Sequence, residues 1–224
     1  MTEENPIRIL LADDQDLVRL GFRLILEGET DLSVVGEAAN GQEAVQLTAE
    51  KSPNIILMDV RMPILDGISA TSEIVAAHPN ARIIMLTTFD LDRYAFSALR
   101  AGASGFLLKD STPADLLAAI RAVASGDATK ATRVTRSMLE MYAKRSSPGS
   151  VQQGRSDPTS VLTPREREVL LAIGEGLSNG EIGTRFFLTE STVKTHVGRV
   201  LAKLQLRDRV HAVIFTYENN LIER

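Results

Sequence analysis

Three aspartates, one threonine and one lysine stand where four apolar segments of the chain end. Asp13 and Asp14 follow the first segment, Asp59 ends the third in IILMD, Thr87 ends the fourth and Lys109 follows the fifth. Clustered carboxylates repel one another near neutral pH unless a cation joins them, and their hard oxygens suit Mg²⁺. Phosphoryl transfer uses a carboxylate nucleophile, a metal ion and a cation on the transferred oxygens. The set therefore predicts a Mg²⁺-assisted phosphoryl-transfer site.

Five short apolar runs alternate with five amphipathic stretches and predict where these side chains lie. The runs are 7–12, 33–38, 54–59, 82–87 and 104–108, and the helical stretches are 16–27, 41–50, 66–77, 92–101 and 113–125. Near-continuous apolar runs are typical of strands covered on both faces, which predicts an α/β fold with a doubly wound, five-stranded parallel sheet. Because functional groups gather at the carboxyl ends of such strands, we expect the five side chains to share one pocket.

The remainder of the chain predicts a linker and a small all-α domain. A helical stretch at 133–145 precedes a segment rich in Ser, Gly, Pro and Gln at 146–160, which is typical of a flexible linker. Four short helices follow Leu162, and the third is expected to begin at Glu190 or Ser191 and to end near Leu206. We therefore predict domains at 1–127 and 161–224, joined by a helical and flexible linker at 128–160.

Composition excludes several classes of protein. The 224 residues include no cysteine, which excludes disulfides, a thiol nucleophile and Cys-ligated metals. No apolar run approaches the roughly 20 residues that span a bilayer, and the start MTEENP lacks a basic signal-peptide region. We therefore expect a cytoplasmic protein with no membrane partner. Residues 1–130 carry 11 basic against 19 acidic residues, and residues 161–224 carry 9 against 8, which suggests two units with different partners.

The first domain resembles the response regulator receiver domain, a flavodoxin-like fold, in LLADD, ILMDVRMPILDG, IIMLTTFD and GASGFLLKD. The resemblance implies that Asp59 is the phosphoacceptor. It implies that Asp13, Asp14, Asp59 and the backbone carbonyl of Arg61 hold the Mg²⁺ ion. It also implies a switch made of three residues, Thr87, Phe106 and Lys109, in which Phe106 moves inward as Thr87 shifts.

The last 64 residues resemble the LuxR-type helix-turn-helix in LTPREREVL, LSNGEI and STVKTHVGRVLAKL, so the whole chain is similar to the NarL/FixJ response regulators. Helical spacing predicts that the third helix buries Val193, Val197, Val200, Leu201 and Leu204. The resemblance assigns base-edge contacts to Lys194 and Thr195 and close approach to Gly198. We expect Thr192, Arg199 and Lys203 to contact phosphates.

Two further features of this domain carry expectations. Gly180 and Gly183 lie in the second helix, where each is expected to cost roughly 1 kcal/mol relative to Ala. Val210, Val213 and Ile214 form a stripe on the last helix that is a candidate dimer surface, although burial in its own domain explains part of the pattern.

The resemblance implies a regulator and not a turnover enzyme. A sensor histidine kinase is expected to phosphorylate Asp59, and the phosphorylated homodimer then binds paired half-sites in promoter DNA, with RNA polymerase as a further partner.

Two alternatives remain open at this point. A haloacid dehalogenase-type phosphohydrolase would use Asp14-Gln15-Asp16, but Leu17 and Val18 replace its Gly-Thr-like turn and no cap domain fits. The other alternative is a DNA-binding or protein-interaction module with no phosphorylation switch.

Overall fold

The computed structural model describes residues 6–88, 91–125 and 157–222. Contacts divide the chain into two units, Met1–Ser125 and Gly126–Arg224. The helix predicted at 133–145 and most of the predicted linker lie outside the described residues. Within the described chain, no helix combines the length and apolar character needed to cross a bilayer.

The first unit alternates strands and helices along the chain. In order these are β1 (Ile7–Ala12), α1 (Asp16–Glu27), β2 (Leu32–Ala38), α2 (Gly41–Lys51), β3 (Ile55–Asp59), α3 (Gly67–Ala77), β4 (Arg82–Thr87), α4 (Leu91–Ala101), β5 (Gly105–Leu108) and α5 (Pro113–Ala124). Every element matches an apolar run or amphipathic stretch of the sequence, and the ends differ from the predicted ones by at most one residue.

All five strands are parallel and lie in the order β2-β1-β3-β4-β5, so the predicted fold class is confirmed. Alternate residues of the central strands point to opposite faces. Leu57 and Ile84 pack on one face with Phe22 of α1 and Ile120 of α5. Helices on both faces explain why the strands are apolar at nearly every position.

The strand order places four carboxyl ends side by side. In the register of the sheet, Ala12 of β1 lies opposite Met58 of β3, Asp59 lies opposite Leu86 of β4, and Thr87 lies opposite Leu108 of β5. The loops that leave these strands therefore begin along one continuous edge, which is where the residues of the predicted site stand.

The second unit is helical in its described part. Its helices are α6 (Pro164–Gly174), α7 (Asn179–Phe186), α8 (Glu190–Lys203) and α9 (Arg209–Glu218). Thr163 and Ser178 form capping boxes at the starts of α6 and α7, and Thr189 caps α8 through the backbone N–H of Thr192. The core of the unit joins all four helices through Val169, Ile173, Ile182, Val193, Val197, Val200, Ala212 and Val213.

The end of α8 differs from its predicted position near Leu206. The helix ends at Lys203 because Gln205 adopts the left-handed conformation, with φ 54°. The backbone N–H of Leu206 then turns back and donates to the carbonyl of Leu201 at 2.8 Å. This hydrogen bond satisfies a carbonyl that the end of the helix would otherwise leave without a partner.

Gly180 and Gly183 of α7 have different surroundings, although their helix propensity is the same. A Cβ atom at Gly183 would lie 2.7 Å from the carbonyl oxygen of Leu188, whereas one at Gly180 would meet nothing closer than 3.9 Å. We expect Gly180→Ala to raise the free energy of unfolding by up to about 1 kcal/mol. We expect Gly183→Ala to lower it by about 1–3 kcal/mol, because the turn before α8 must move away.

Chemical denaturation of the two full-length variants beside wild type measures both changes. Each variant adds one methyl group to the same helix, so each is the control for the other. Equal shifts in the same direction would mean that helix propensity alone decides both positions.

Candidate functional site

The three predicted aspartates meet at the carboxyl edge of the sheet. Asp13, Asp14 and Asp59 each place a carboxylate oxygen within 4.8 Å of the others. Their exposure differs. Asp13 and Asp59 are buried, with exposed fractions of 1% and 6%, whereas Asp14 is exposed. Asp13 also shapes the loop, since its Oδ1 accepts a hydrogen bond from the backbone N–H of Gln15 at 3.0 Å. Three hard oxygen donors at this spacing are a suitable set for one divalent cation.

Lys109 joins the two buried carboxylates. Its Nζ lies 2.7 Å from Oδ2 of Asp13 and 2.9 Å from Oδ2 of Asp59. The ammonium group is itself largely buried, with 11% of its side chain exposed. A single positive charge therefore offsets two negative ones in a region where water screens poorly.

Burial governs the protonation of this cluster. Desolvation raises the pKa of Asp59 above its usual value, even though the hydrogen bond and charge of Lys109 act in the opposite direction. Desolvation works against the ammonium of Lys109, but hydrogen bonds to Asp13 and Asp59 outweigh it and raise the pKa of Lys109. Above its raised pKa, ionised Asp59 lowers the free energy of unfolding, and this penalty disappears as the pH falls through that pKa.

Thr87 lines the pocket beside the cluster, whereas Phe106 lies on the neighbouring strand β5 opposite Met85 and is not a pocket residue. Thr87 is 7% exposed, and its Oγ1 donates to the carbonyl of Thr88 at 2.9 Å. Phe106 is 2% exposed, so its ring lies inside the first unit. The inward movement that the resemblance implies for Phe106 stays a prediction.

A pocket of about 350 Å³ opens over these residues. Asp14, Asp59, Thr87 and Lys109 line it, and Arg61 lies in its wall. The backbone N–H of Arg61 donates a hydrogen bond to the carboxylate of Asp59, which favours the ionised form.

Sequence reasoning missed other residues of the same wall, namely Gln15, Val60, Met62, Thr88 and Tyr94. Of these residues, Tyr94 could have been predicted from the sequence, because a helix that follows β4 brings its first turn to the carboxyl edge of the sheet.

In the second unit, α8 separates its residues by face as predicted. Val193, Val197 and Val200 are buried, while Leu201 and Leu204 are partly buried against the same core. The residues predicted to contact DNA are all exposed, namely Thr192, Lys194, Thr195, Gly198, Arg199 and Lys203. The polar face is therefore open along most of the helix, which is the arrangement that a helix needs to enter the major groove.

Two of these cations already have acidic partners. The Nζ of Lys203 lies 2.7 Å from Glu166 of α6, and that of Lys194 lies 3.4 Å from Glu190. The hydrogen bond from Lys203, followed by that from the backbone of Thr163, lowers the pKa of Glu166 to about 2. Lys203 therefore connects α8 to α6, and a phosphate contact would compete with that ion pair.

The stripe predicted as a dimer surface lies inside the chain. Val210, Val213 and Ile214 are exposed at only 1%, 7% and 7%. Val213 belongs to the core of the second unit. Burial within the chain therefore accounts for these apolar residues, because the helical spacing is the same whether a stripe packs on its own core or on a second subunit, and the dimer surface stays a prediction.

Both units match known families. Residues 9–121 match the family model of the response regulator receiver domain. Residues 160–216 match that of the bacterial regulatory proteins of the luxR family.

Curated relatives match over nearly their whole length. The chain is 43% identical over 220 residues to the transcriptional regulatory protein YxjL of Bacillus subtilis (strain 168), with 98% of this chain and 99% of YxjL covered. It is 39% identical over 216 residues to the transcriptional regulatory protein LiaR of the same organism, with 96% and 99% covered. Among solved structures, it is similar to the response regulator ChrA of a heme-sensing two-component system. That match has a TM-score of 0.52 and 32% identity, and it covers 98% of this chain and all of ChrA.

Proposed function

This chain belongs to the response regulators that combine a receiver domain with a LuxR-type DNA-binding domain, and we propose that a sensor histidine kinase phosphorylates Asp59 to switch its dimerisation and sequence-specific DNA binding. The observation that carries the proposal is the position of Lys109 between the buried carboxylates of Asp13 and Asp59, at 2.7 and 2.9 Å. We assign 1–127 to the receiver, 128–160 to the linker and 161–224 to the DNA-binding domain.

Asp59 is the nucleophile of the proposed reaction. Its carboxylate oxygen attacks the phosphorus of a phosphohistidine, and a P–O bond forms as the P–N bond breaks. The electron pair of the broken bond stays on the imidazole, which takes up a proton from water. Lys109 neutralises charge on the phosphoryl oxygens, and Thr87 turns its hydroxyl from the carbonyl of Thr88 toward one of them.

The acidic cluster fits a Mg²⁺ ion. The residues that would hold it are Asp13, Asp14, Asp59 and the backbone carbonyl of Arg61, and the clustered oxygens of the three aspartates support this set. Bound Mg²⁺ supplies positive charge to the phosphoryl oxygens. Asp14 is the exposed aspartate of the three, so the ion and the phosphodonor approach the pocket from the side of Asp14.

The output of the switch is the exposed face of α8. Lys194 and Thr195 read base edges, Gly198 lets the helix approach closely, and Thr192 and Arg199 contact phosphates. Because few basic residues face DNA in one subunit, a monomer binds weakly and two copies on paired half-sites bind tightly. The bound homodimer then acts on RNA polymerase in the cytoplasm.

Family membership removes the phosphohydrolase alternative, since the chain is a transcriptional regulator and not a turnover enzyme. The remaining alternative is a DNA binder that does not respond to phosphorylation. It keeps the fold and the α8 face but predicts that DNA affinity is independent of the acidic cluster.

Titration of a DNA duplex tests the proposal directly. The probe is the duplex that wild-type protein enriches from a random-sequence library in the presence of a small phosphodonor and Mg²⁺. We expect the phosphodonor to raise DNA affinity by about 5- to 150-fold, the range usual for coupled sites, and a chelator to abolish the increase. Equal affinity with and without the donor would support the unswitched DNA binder instead.

A further inference from the structure

Phe187 stands apart from the other aromatic residues in the described part of the second unit. It is 96% exposed, which is the highest value among the exposed large apolar side chains of the described residues. It caps the end of α7 in the left-handed conformation, with φ 57° and ψ 44°. Glycine and asparagine are the residues that adopt this conformation most readily at the end of a helix.

Folding therefore gives no reason for a phenylalanine at this position. A bulky side chain in the left-handed region is strained, by roughly 1 kcal/mol or more relative to glycine. Burial does not offset that strain, because almost the whole ring is in contact with solvent. The neighbouring Phe186, by contrast, packs on the core of the unit.

The position of Phe187 places it at the edge of the proposed DNA-binding face. Only Leu188 separates it from Thr189, which caps α8, and Thr192 and Thr195 are exposed on the first turns of that helix. When the first turns of a recognition helix enter the major groove, the turn before the helix lies beside the sugar-phosphate strand.

Two arginines contact the residue that precedes Phe187. The guanidinium of Arg165 lies 4.6 Å from the centroid of the Phe186 ring and donates to the carbonyl of Phe186 at 2.8 Å. Arg185 lies 5.7 Å from the same ring. Both guanidinium groups lie at Phe186, the residue before the exposed Phe187, and each also pairs with an acidic residue, Glu168 or Glu175. Two cations one residue away from an exposed aromatic ring match the chemistry of a DNA strand, which presents phosphates and apolar deoxyribose carbons side by side.

We propose that Phe187 is a DNA-contact residue whose ring packs on the deoxyriboses of the strand that borders the groove entered by α8. The proposal rests on the proposed function, because it requires that α8 face the major groove. It adds an apolar contact to a face that otherwise contributes charges and hydrogen bonds.

The test compares Phe187→Asn with wild type on the enriched duplex, with full-length phosphorylated protein. Asparagine tolerates the left-handed conformation, so we expect the variant to be at least as stable as wild type in chemical denaturation. We expect its DNA affinity to fall about tenfold, which corresponds to about 1.4 kcal/mol. Because no charge is removed, the slope of log affinity against log salt should not change.

Matched variants and probes separate the possible results. Phe187→Tyr keeps the ring and should bind within about twofold of wild type. Replacing thymidine by deoxyuridine in the duplex should leave the effect of Phe187→Asn unchanged, and loss of the effect would assign the contact to thymine methyl groups and overturn the deoxyribose contact. If Phe187→Asn binds DNA with the affinity of wild type, the proposal is overturned. If that variant also loses promoter activation while its DNA affinity is unchanged, the exposed ring contacts a protein partner instead of DNA.

Lys194→Ala distinguishes failure of this proposal from failure of the proposed function. If Lys194→Ala weakens DNA binding while Phe187→Asn does not, α8 is the DNA-binding helix and only the role of Phe187 is wrong. If both variants bind like wild type, α8 does not read DNA and the proposed function fails with it.

Discussion

In Asp59→Asn, we expect phosphorylation of the chain to disappear completely, and with it the effect of the phosphodonor on DNA affinity. Asparagine keeps the shape of the side chain but cannot act as the oxygen nucleophile. Intact-mass measurement after incubation with a small phosphodonor and Mg²⁺ should show one added phosphoryl group on wild type and none on the variant. The DNA affinity of the variant should equal that of untreated wild type.

Loss of phosphorylation in Asp59→Asn is not expected to reflect unfolding. The raised pKa of Asp59 means that its environment disfavours the ionised carboxylate, so a neutral amide should leave thermal stability unchanged or increased near neutral pH.

Asp110→Asn is the matched control, because Asp110 is exposed next to Lys109 and lies outside the pocket. It removes the same charge and should accept a phosphoryl group like wild type. A phosphoryl group that persists in Asp59→Asn would place the nucleophile elsewhere in the acidic cluster.

We expect Gly67→Ala to destabilise the receiver unit strongly, although the substitution adds only one methyl group. A Cβ atom at Gly67 would lie 1.8 Å from the carbonyl oxygen of Asp59 and 3.1 Å from Cγ of Met58. The first contact is with backbone, so the loop after β3 must move away from the strand. We expect the free energy of unfolding to fall by about 3 kcal/mol, near the upper end for such overpacking.

The displaced loop also carries part of the site. The N–H of Gly67 donates to the carbonyl of Val60 at 3.0 Å, and the N–H of Val60 donates to the carbonyl of Leu86 at 3.2 Å. Movement of this loop shifts Arg61, whose backbone lies in the pocket wall. We therefore expect the fraction of Gly67→Ala that remains folded to be phosphorylated more slowly than wild type.

Gly21→Ala is the control for this prediction. Gly21 lies on the exposed side of α1, and a Cβ atom there would meet nothing within 4 Å. The substitution should raise stability by up to about 1 kcal/mol and leave phosphorylation unchanged. Calorimetry of the full chains should show a transition of the receiver unit lowered by about 12 °C in Gly67→Ala. A midpoint within a few degrees of wild type would contradict the close approach of this loop.

Local pattern was enough to predict most of the fold. Apolar runs such as Ile55–Asp59 that alternate with amphipathic helical stretches favour a parallel sheet covered by helices on both faces, without any knowledge of contacts. Caps at Thr163 and Ser178 specify where helices begin, because their side chains satisfy nearby backbone N–H groups. The end of α8 was placed too late, since the left-handed turn at Gln205 depends on the chain that follows.

For the candidate site, the sequence by itself determined which groups meet, and the tertiary structure decided how exposed each one is and what it contacts. Strand ends carry Asp13, Asp14, Asp59, Thr87 and Lys109 to one edge whatever the details of packing. Spacing could not distinguish Asp13 from Asp14, whereas the fold buries the first beside Lys109 and leaves the second exposed.

The same division holds in the second unit. The sequence determined that α8 has one apolar and one polar face, because helical periodicity is a local property. Only the tertiary structure decided that Val210, Val213 and Ile214 are buried, that Gly183 faces the carbonyl of Leu188, and that Phe187 is left exposed. Burial depends on residues far apart in the chain, and the close approach at Gly183 depends on how the turn before α8 folds back, so helical periodicity contains neither.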